Sequence, residues 1–566
     1  MGLIGEINSV LWGAPMMALM LAAGAFFSFR TGFFQLRRGG RCLKETVFSR
    51  RAGKGEGISP MQAMFSALAG TLGTGSITGV AAALTVGGAG AVFWMWVSAI
   101  MGMMTGFAEN VLGAYYRRSS REGWRGGAMY YIRGGLERTR CSFLARPLAA
   151  VYAGACVLSA FGMGSLVQMN SAASALSSGF GIPQAVTGIV LAGAAAAVIF
   201  GGVKRLGSFT SKVVPVMSGL YIAGAVFVLA RNFQRLPELF DVIIRGAFSP
   251  GAVAGGIGGY LVKQALSMGV RRGVFSNEAG LGSSAAAHAG ADEPEPCVHG
   301  MWSVIEVGFN TLVMCSMTAL ILLSSPCRAA DMSEVFNNVS LQPQYFRLTE
   351  ESGLICGGAE LLTSGKGELC SFRTVYGQGF TARVGMGGVN CSNVMKLTGV
   401  QARGDSGEPL SDGCGRPVIS GVVLEEVTGA ELVTLAFASV FGGAAGKVLS
   451  AAMALFAFST ITGRSIFGAQ AAVYLFGSRA AVPFRAAFIL CTVLGAFVDI
   501  SAAWGLADVF NGIMAAVNLP VLLALSGTVT RIYRNYCART FKHADVKPEL
   551  SAYPDIQLMQ ERSLTK

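Results

Sequence analysis

Two stretches of this chain bring glycines and polar side chains into runs that are otherwise apolar. Residues 68–79 read Leu-Ala-Gly-Thr-Leu-Gly-Thr-Gly-Ser-Ile-Thr-Gly, with Gly70, Gly73, Gly75 and Gly79 in ten positions. Residues 273–284 read Gly-Val-Phe-Ser-Asn-Glu-Ala-Gly-Leu-Gly-Ser-Ser, with Ser276, Asn277 and Glu278 near the middle. Each glycine costs a helix interior roughly 1 kcal/mol relative to alanine, and the hydroxyls compete for backbone hydrogen bonds. Both stretches are therefore expected to interrupt a helix. The chemistry of an interruption is that of the backbone. The amino end of a half-helix offers free N–H groups to a carboxylate, and freed carbonyls can coordinate an ammonium group or Na+. A zwitterion needs both. The alternative is that the glycines only let helices pack closely; two similar interruptions in one chain favour a binding role.

Two further clusters could contribute. Residues 161–171 (Phe-Gly-Met-Gly-Ser-Leu-Val-Gln-Met-Asn-Ser) contain Gln168, an amide able to hold a carboxylate or an amine, or to serve as glue between helices. Residues 456–464 (Phe-Ala-Phe-Ser-Thr-Ile-Thr-Gly-Arg) offer Ser459 and Thr460, hard oxygen ligands suited to Na+, or simple back-bonds to their own helix. Glu109, Glu278, Glu306, Asp499 and Asp508 lie in or near apolar runs. Glu278 is the proton-coupling candidate, with a structural role accepting N–H bonds equally open, whereas Asp499 and Asp508 read as interfacial. The three histidines, His288, His299 and His543, are scattered, and no CxxC or HExxH spacing occurs. Neither a metal site nor a nucleophile–base set is visible, so no cofactor is expected beyond a coupling ion, and a membrane enzyme ranks last.

The elements that position these residues are membrane helices. Of 566 residues, 52% are hydrophobic and only 13% charged, with a mean hydropathy of +0.53. A soluble surface typically needs about 25% charged residues. The 77 glycines are spread through the chain, as lipid-embedded helix packing favours. Apolar runs long enough to cross a roughly 30 Å hydrocarbon layer number eleven: 10–29, 60–86, 88–115, 147–178, 183–201, 206–231, 251–288, 298–324, 431–476, 483–500 and 505–530. The run 431–476 is too long for one span, and residues 441–446 are expected to set off a short external helix. A net charge of +13 does not signal nucleic acid here, because its placement follows topology. Basic residues crowd 30–54, 117–146, 204–212, 271–272, 479–485 and the tail from Arg531. These hold 30 of the 44 Lys and Arg residues, all on one side of an alternating path. Positive charge stays cytoplasmic, which puts the amino terminus outside and the carboxyl terminus inside a bacterial-type inner (plasma) membrane. No Lys or Arg precedes Arg30, which argues against a cleaved leader.

Residues 325–430 break the pattern of short loops. They form a polar, Gly-rich insertion that the same parity puts outside, and they hold Cys327, Cys356, Cys370, Cys391 and Cys414. Two disulfides and one free thiol, or a loose loop of reduced cysteines, are both open. The expected organisation is thus 1–324 for the first helices, 325–430 for the insertion, 431–530 for the remaining helices and 531–566 for a basic tail.

In its motifs the chain resembles the alanine or glycine:cation (sodium:alanine) symporter family. The resemblance rests on GTLGTGSITGVAAAL (70–84), GAVFWMWVSAIMGMMTGFAEN (90–110), GGAMYYI (126–132), FGMGSLVQMNS (161–171), TGIVLAG (187–193), GGVKR (201–205), VKQALSMGVRRGVFSNEAGLGSSAAAHA (262–289), FAFSTITG (456–463) and FNG (510–512). It covers nearly everything outside 325–430. It implies an all-α, leucine-transporter-like 5+5 inverted repeat preceded by one extra helix, and Na+- or H+-driven symport of alanine or glycine, L or D. By matching motif, the substrate would meet Thr71, Gly73, Thr74, Gly75, Gln168, Phe275, Ser276, Asn277 and Thr460. Sodium would sit among carbonyls near Gly70 and Gly73 and the hydroxyls of Ser459 and Thr460. Three departures stand out: Ser76 where the family usually has Asn, the insertion, and Arg464 where it has an aromatic residue. An arginine inside a span costs roughly 2.5–3.5 kcal/mol on insertion scales, so it needs a partner. Either it sits beside the substrate or replaces the coupling cation, or it turns away to Glu109 or Glu306 or snorkels toward the cytoplasm. The rivals are a sodium-independent exchanger or proton-coupled carrier of the same fold, and a receptor whose insertion binds a partner. The partners implied are a small amino acid, a cation and the lipid bilayer, with no nucleic acid and the oligomeric state left open.

Overall fold

A computed structural model describes residues 2–47, 58–120, 123–248, 256–324, the strands between 346 and 427, and 433–564 except 435, 438, 439, 442 and 499. Helices dominate. In chain order they are α1 (Gly2–Leu11), α2 (Ala14–Arg30), α3 (Gly39–Val47), α4 (Pro60–Thr71), α5 (Thr78–Gly87), α6 (Gly90–Tyr115) and α7 (Ala128–Leu136). Next come α8 (Ser142–Ser159), α9 (Val167–Phe180), α10 (Gln184–Ile199), α11 (Gly202–Arg231), α12 (Leu236–Phe248), α13 (Gly256–Asn277) and α14 (Ala285–His288). The rest are α15 (Pro296–Val307), α16 (Ser316–Ser324), α17 (Gly443–Phe476), α18 (Ala481–Gly495), α19 (Ile500–Ala524), α20 (Ser526–Phe541) and α21 (Pro554–Leu564).

Among the described residues, eight helical stretches are long and apolar enough to cross a bilayer, and α4 with its continuation to Gly87 makes a ninth, bent by 58°. The two other expected spans differ from these. α10 is apolar but only 16 residues long, and α13 carries Lys263, Arg271 and Arg272. The expected span 251–288 is helical only to Asn277 before the short α14. α17 starts at Gly443, inside the segment expected to separate an external helix. Residues 160–166 and 308–315 are wound as π-helix between α8 and α9 and between α15 and α16. Nothing in the apolar pattern announces such turns, which often mark functional positions.

The all-α expectation needs one correction. Beyond a small hairpin, β1 (Arg118–Ser120) with β2 (Gly123–Arg125), the insertion contains β3 (Phe346–Leu348), β4 (Leu354–Gly357), β5 (Leu362–Ser364), β6 (Glu368–Val375), β7 (Gly379–Gly385), β8 (Ser392–Gln401) and β9 (Ile419–Val427). They pair antiparallel in the order β3-β4-β9-β8-β7-β6-β5. Short runs of mixed polar and β-branched residues favour strands over helix. The cysteine pairing of this region lies outside the described residues, as does Asp499.

The core forms where small residues let helices approach. α6 packs against α13 and α15, α17 against α4 and α9, and α19 against α8. At the crossing of α4 and α17, a Cβ added to Gly463 would lie 2.4 Å from the Gly70 amide nitrogen. Glycine is required at that contact. α4 begins on a capping box in which the Ser59 hydroxyl accepts from the Gln62 amide and the Gln62 side chain accepts from the Ser59 amide. The tail expected as a basic extension is packed: the Ala552 amide donates to the Tyr115 carbonyl at 2.9 Å, and Arg138 donates to the Ala552 carbonyl at 2.7 Å.

Candidate functional site

α4 ends at Thr71. Leu72 and Gly73 leave helical geometry, Thr74–Ser76 form a 3-10 turn, and α5 resumes at Thr78. The freed Thr74 amide donates to Gln168 Oε1 at 3.1 Å, and the Thr74 hydroxyl donates to the same oxygen at 2.9 Å. Gln168 stands in the first turn of α9, just past the π-helical stretch, and its Nε2 donates to the Met163 carbonyl at 3.2 Å. Gly73 has no room for a side chain, since a Cβ would lie 2.5 Å from Thr460 Oγ1 and 2.9 Å from Gln168 Oε1. Gly75 faces the Phe275 ring, 3.4 Å from where its Cβ would stand.

The second interruption follows α13. Glu278 has a φ of +59°, a left-handed conformation uncommon for a non-glycine residue, and Gly280 and Gly282 follow at +96° and +71°. Side-chain bonds hold this turn: Glu278 accepts from Ser283, and Asn277 Oδ1 accepts the Ala279 amide at 3.0 Å. Asn277 Nδ2 donates to Thr311 Oγ1 at 3.0 Å.

Two residues tie the interruptions together. Asn310 Nδ2 donates to the Thr71 carbonyl at 3.1 Å and to the Ser276 carbonyl at 2.6 Å, while its Oδ1 accepts from the Ser276 hydroxyl at 3.0 Å. Arg464, only 2% exposed, donates from Nε to the Gly70 carbonyl at 3.1 Å and forms an ion pair with Glu278. All nine residues matched to the substrate by motif are buried at these two breaks or packed against them.

The partner of Arg464 is Glu278, neither Glu109 nor Glu306, and the guanidinium does not snorkel. Glu109 instead accepts from Asn518 Nδ2 at 2.5 Å. Glu306 accepts from the Thr71 hydroxyl at 2.9 Å and meets His288 Nε2 at 2.8 Å. Arg271 and Arg272, counted above with the basic clusters, precede the interruption of the seventh span and pair with Asp508, which is buried rather than interfacial. Arg272 also lies 4.5 Å over Trp504, which packs on Phe275. Of the oxygens expected around sodium, the Gly70 carbonyl is taken by Arg464 and the Gly73 carbonyl accepts from Ser76 Oγ at 2.8 Å. Thr460 Oγ1 donates to the Phe456 carbonyl at 3.0 Å and lies 3.4 Å from the Leu72 carbonyl. Ser459 Oγ is buried without a partner.

Asn310 and Thr311 belong to this constellation but were not singled out from the sequence, although both are polar residues within the apolar run 298–324. A cleft of about 450 Å3 bounded by Val157, Phe161, Phe476, Arg479 and Phe484 includes none of the motif-matched residues. Its walls lack the paired donors and acceptors a zwitterion needs. Among the described residues, no group of three or more His, Cys, Asp or Glu side chains could hold a metal ion.

A many-helix membrane protein with two interrupted helices joined by buried polar side chains has the construction of a secondary transporter. The chain belongs to the sodium:alanine symporter family, whose sequence pattern matches residues 1–347 and 417–551. It is therefore a multi-pass membrane transporter and not an enzyme. Of the unmatched residues, 348–416 fall inside the expected insertion and 552–566 end the chain. The chain is 33% identical to the sodium/alanine symporter AgcS of Methanococcus maripaludis over 529 residues, 93% of this chain and 95% of that one. It is 38% identical to the probable sodium/glutamine symporter GlnT of Bacillus subtilis over 327 residues, 57% of this chain and 65% of that one. Among solved structures, a Na+-coupled sialic acid symporter aligns with 98% of this chain and 95% of its own, at 12% identity and a TM-score of 0.41.

Proposed function

We propose that this chain is a cation-coupled symporter that carries a small neutral amino acid, alanine or glycine, by alternating access. In this reading eleven spans form a 5+5 inverted repeat behind one extra helix, with the amino terminus outside and the carboxyl terminus in the cytoplasm. The observation that carries it is Asn310, whose one amide group binds carbonyls freed at both interruptions. Two helix breaks held on one side chain define one site.

At that site Gln168 Oε1 occupies the Thr74 amide and hydroxyl as a substrate carboxylate oxygen would. Binding exchanges the amide oxygen for the carboxylate, which the half-helix amino end favours. Thr71, Gly73, Gly75, Phe275, Ser276, Asn277 and Thr460 complete the pocket, and the close approach of Thr460, Gln168 and Phe275 to Gly73 and Gly75 limits cargo to a small side chain. A coupling Na+ would use the Gly70–Gly73 carbonyls with Ser459 and Thr460. One observation favours a second reading, sodium-independent exchange or proton coupling: the Gly70 carbonyl is already bonded to Arg464. Residues 325–430 are an appendage to transport, and 531–566 form a cytoplasmic tail.

Counterflow in vesicles tests the substrate assignment. Labelled L- and D-alanine and glycine should exchange against the unlabelled compounds, and Thr74→Ala, which removes the hydroxyl donor to the carboxylate, should lower apparent affinity at least tenfold. Exchange unaffected by that substitution would remove the site from these breaks.

A further inference from the structure

Behind the substrate break lies a buried pair that the amino-acid site does not use. His288 on α14 and Glu306 on α15 are both within 3% of full burial. His288 Nε2 meets Glu306 Oε2 at 2.8 Å, and Glu306 Oε1 accepts from the Thr71 hydroxyl at 2.9 Å. The chain of contacts runs from the segment after the second interruption, through α15, to the last residue of α4 before the first.

The charge balance around the pair is uneven. α14 packs against α4, α6 and α17. α4 carries no charged residue, α6 brings Glu109, and the Arg464 of α17 is committed to Glu278. Glu109 is close enough to Glu306 for their charges to interact. The His299 ring of α15 lies tilted against Trp302 at 4.8 Å between centroids, and the His288 ring against the same Trp302 at 5.8 Å. Arg117 lies behind, with its guanidinium on the Ala289, Ala291 and Glu293 carbonyls. The guanidinium groups near the breaks are therefore committed elsewhere, Arg464 to Glu278, Arg271 and Arg272 to Asp508, and Arg117 to backbone carbonyls. No Lys or Arg among the described residues pairs with Glu306. A buried carboxylate without a cation is strongly disfavoured.

The missing positive charge has a place to bind. His288 Nδ1 is buried with no hydrogen-bond partner. With Nε2–H donating to Glu306, that nitrogen carries a free lone pair. A proton added there converts imidazole to imidazolium and turns an isolated carboxylate into an ion pair. Both Glu306 oxygens are already engaged, which leaves a proton, rather than a metal ion, as the cation the pair can accept.

We propose that His288 and Glu306 form the proton-binding site of this carrier and couple its occupancy to the substrate through Thr71. The inference rests on the carrier reading above and names its coupling ion. The proton adds to His288 Nδ1 from the aqueous phase open to the site. It is released to the opposite phase once the helices on either side of Thr71 have rearranged. With the pair protonated, Thr71 keeps its bond to an ion-paired carboxylate and α4 holds its end in place for the substrate.

The test uses the full chain in phosphatidylethanolamine–phosphatidylglycerol vesicles loaded with a pH-sensitive dye. Alanine or glycine added outside, without Na+, should acidify the lumen of wild-type vesicles. Glu306→Gln should abolish acidification and pH-driven accumulation while keeping counterflow within about threefold, because Gln still accepts from Thr71. His288→Gln is the second variant, with the same expectation. Wild-type counterflow without acidification overturns the proton site and leaves the carrier reading intact. Acidification that survives Glu306→Gln but is lost in Glu109→Gln moves the proton elsewhere and overturns it too. No counterflow of any amino acid in wild type overturns both.

Discussion

Replacing Arg464 by leucine is the perturbation whose cost follows most directly from the geometry. The guanidinium neutralises Glu278, which is fully buried, and satisfies the Gly70 carbonyl at 3.1 Å. Removing one partner of a buried pair costs about 3–5 kcal/mol because the other charge is stranded. Losing a donor to a buried carbonyl adds about 1–3 kcal/mol. Spread over an unfolding entropy of roughly 2 cal/mol/K per residue, a penalty of this size lowers the apparent melting temperature by on the order of 5 °C. Arg464→Leu combined with Glu278→Gln leaves no charge behind and should recover more than half of that drop, since neutral replacements for buried pairs are often tolerated. Melting of the purified protein in detergent, followed by loss of the monodisperse size-exclusion peak, reads all three. If Arg464→Leu melts with wild type, or the double variant melts below the single, the pair does not hold the two interruptions together.

Other consequences follow from the same contacts. Gly463→Ala puts a methyl group 2.4 Å from the Gly70 nitrogen; such overpacking costs about 1–3 kcal/mol, and uptake should fall at least tenfold in cells that still display the protein. Burial pushes the Cys42 thiol up to about 12, so at pH 8 only about one in ten thousand is thiolate. Cys42 should resist maleimide for hours while exposed Cys141 reacts within minutes. Applied to single-cysteine variants, an impermeant maleimide should reach Cys141 only in inverted vesicles, and labelling in right-side-out vesicles would reverse the proposed orientation. Deleting 348–416 should leave counterflow within about threefold, and a larger loss would make the insertion part of the transport machinery.

The positions of both interruptions were legible in the sequence, because glycine and short polar side chains weaken a helix through local energetics alone. Gln168 and Thr460 were legible as polar residues inside apolar runs, and the structure sets them against the first break. What the sequence left open was partnership. Arg464 needed a counter-charge, but a helical period assigns faces and not neighbours, and Glu278 became its partner only because the turn at +59° swings that carboxylate toward α17. Asn310 was hidden for a related reason: it lies in the π-helical stretch from Gly308, which shifts the helical face by which neighbours would be counted. Arg271 and Arg272 were misread because charge was counted by span, whereas Asp508, on a helix more than two hundred residues later, holds them before the break. The strands of the insertion carry no membrane signal at all.

Concentrative uptake is the direct test of the whole account. Wild-type protein in sealed vesicles, given labelled alanine or glycine and an inward gradient of H+ or Na+, should raise the internal concentration above the external one and lose that excess when the gradient is collapsed. Label that only equilibrates whatever gradient is imposed, or does not enter, would contradict a cation-driven carrier built on these two broken helices.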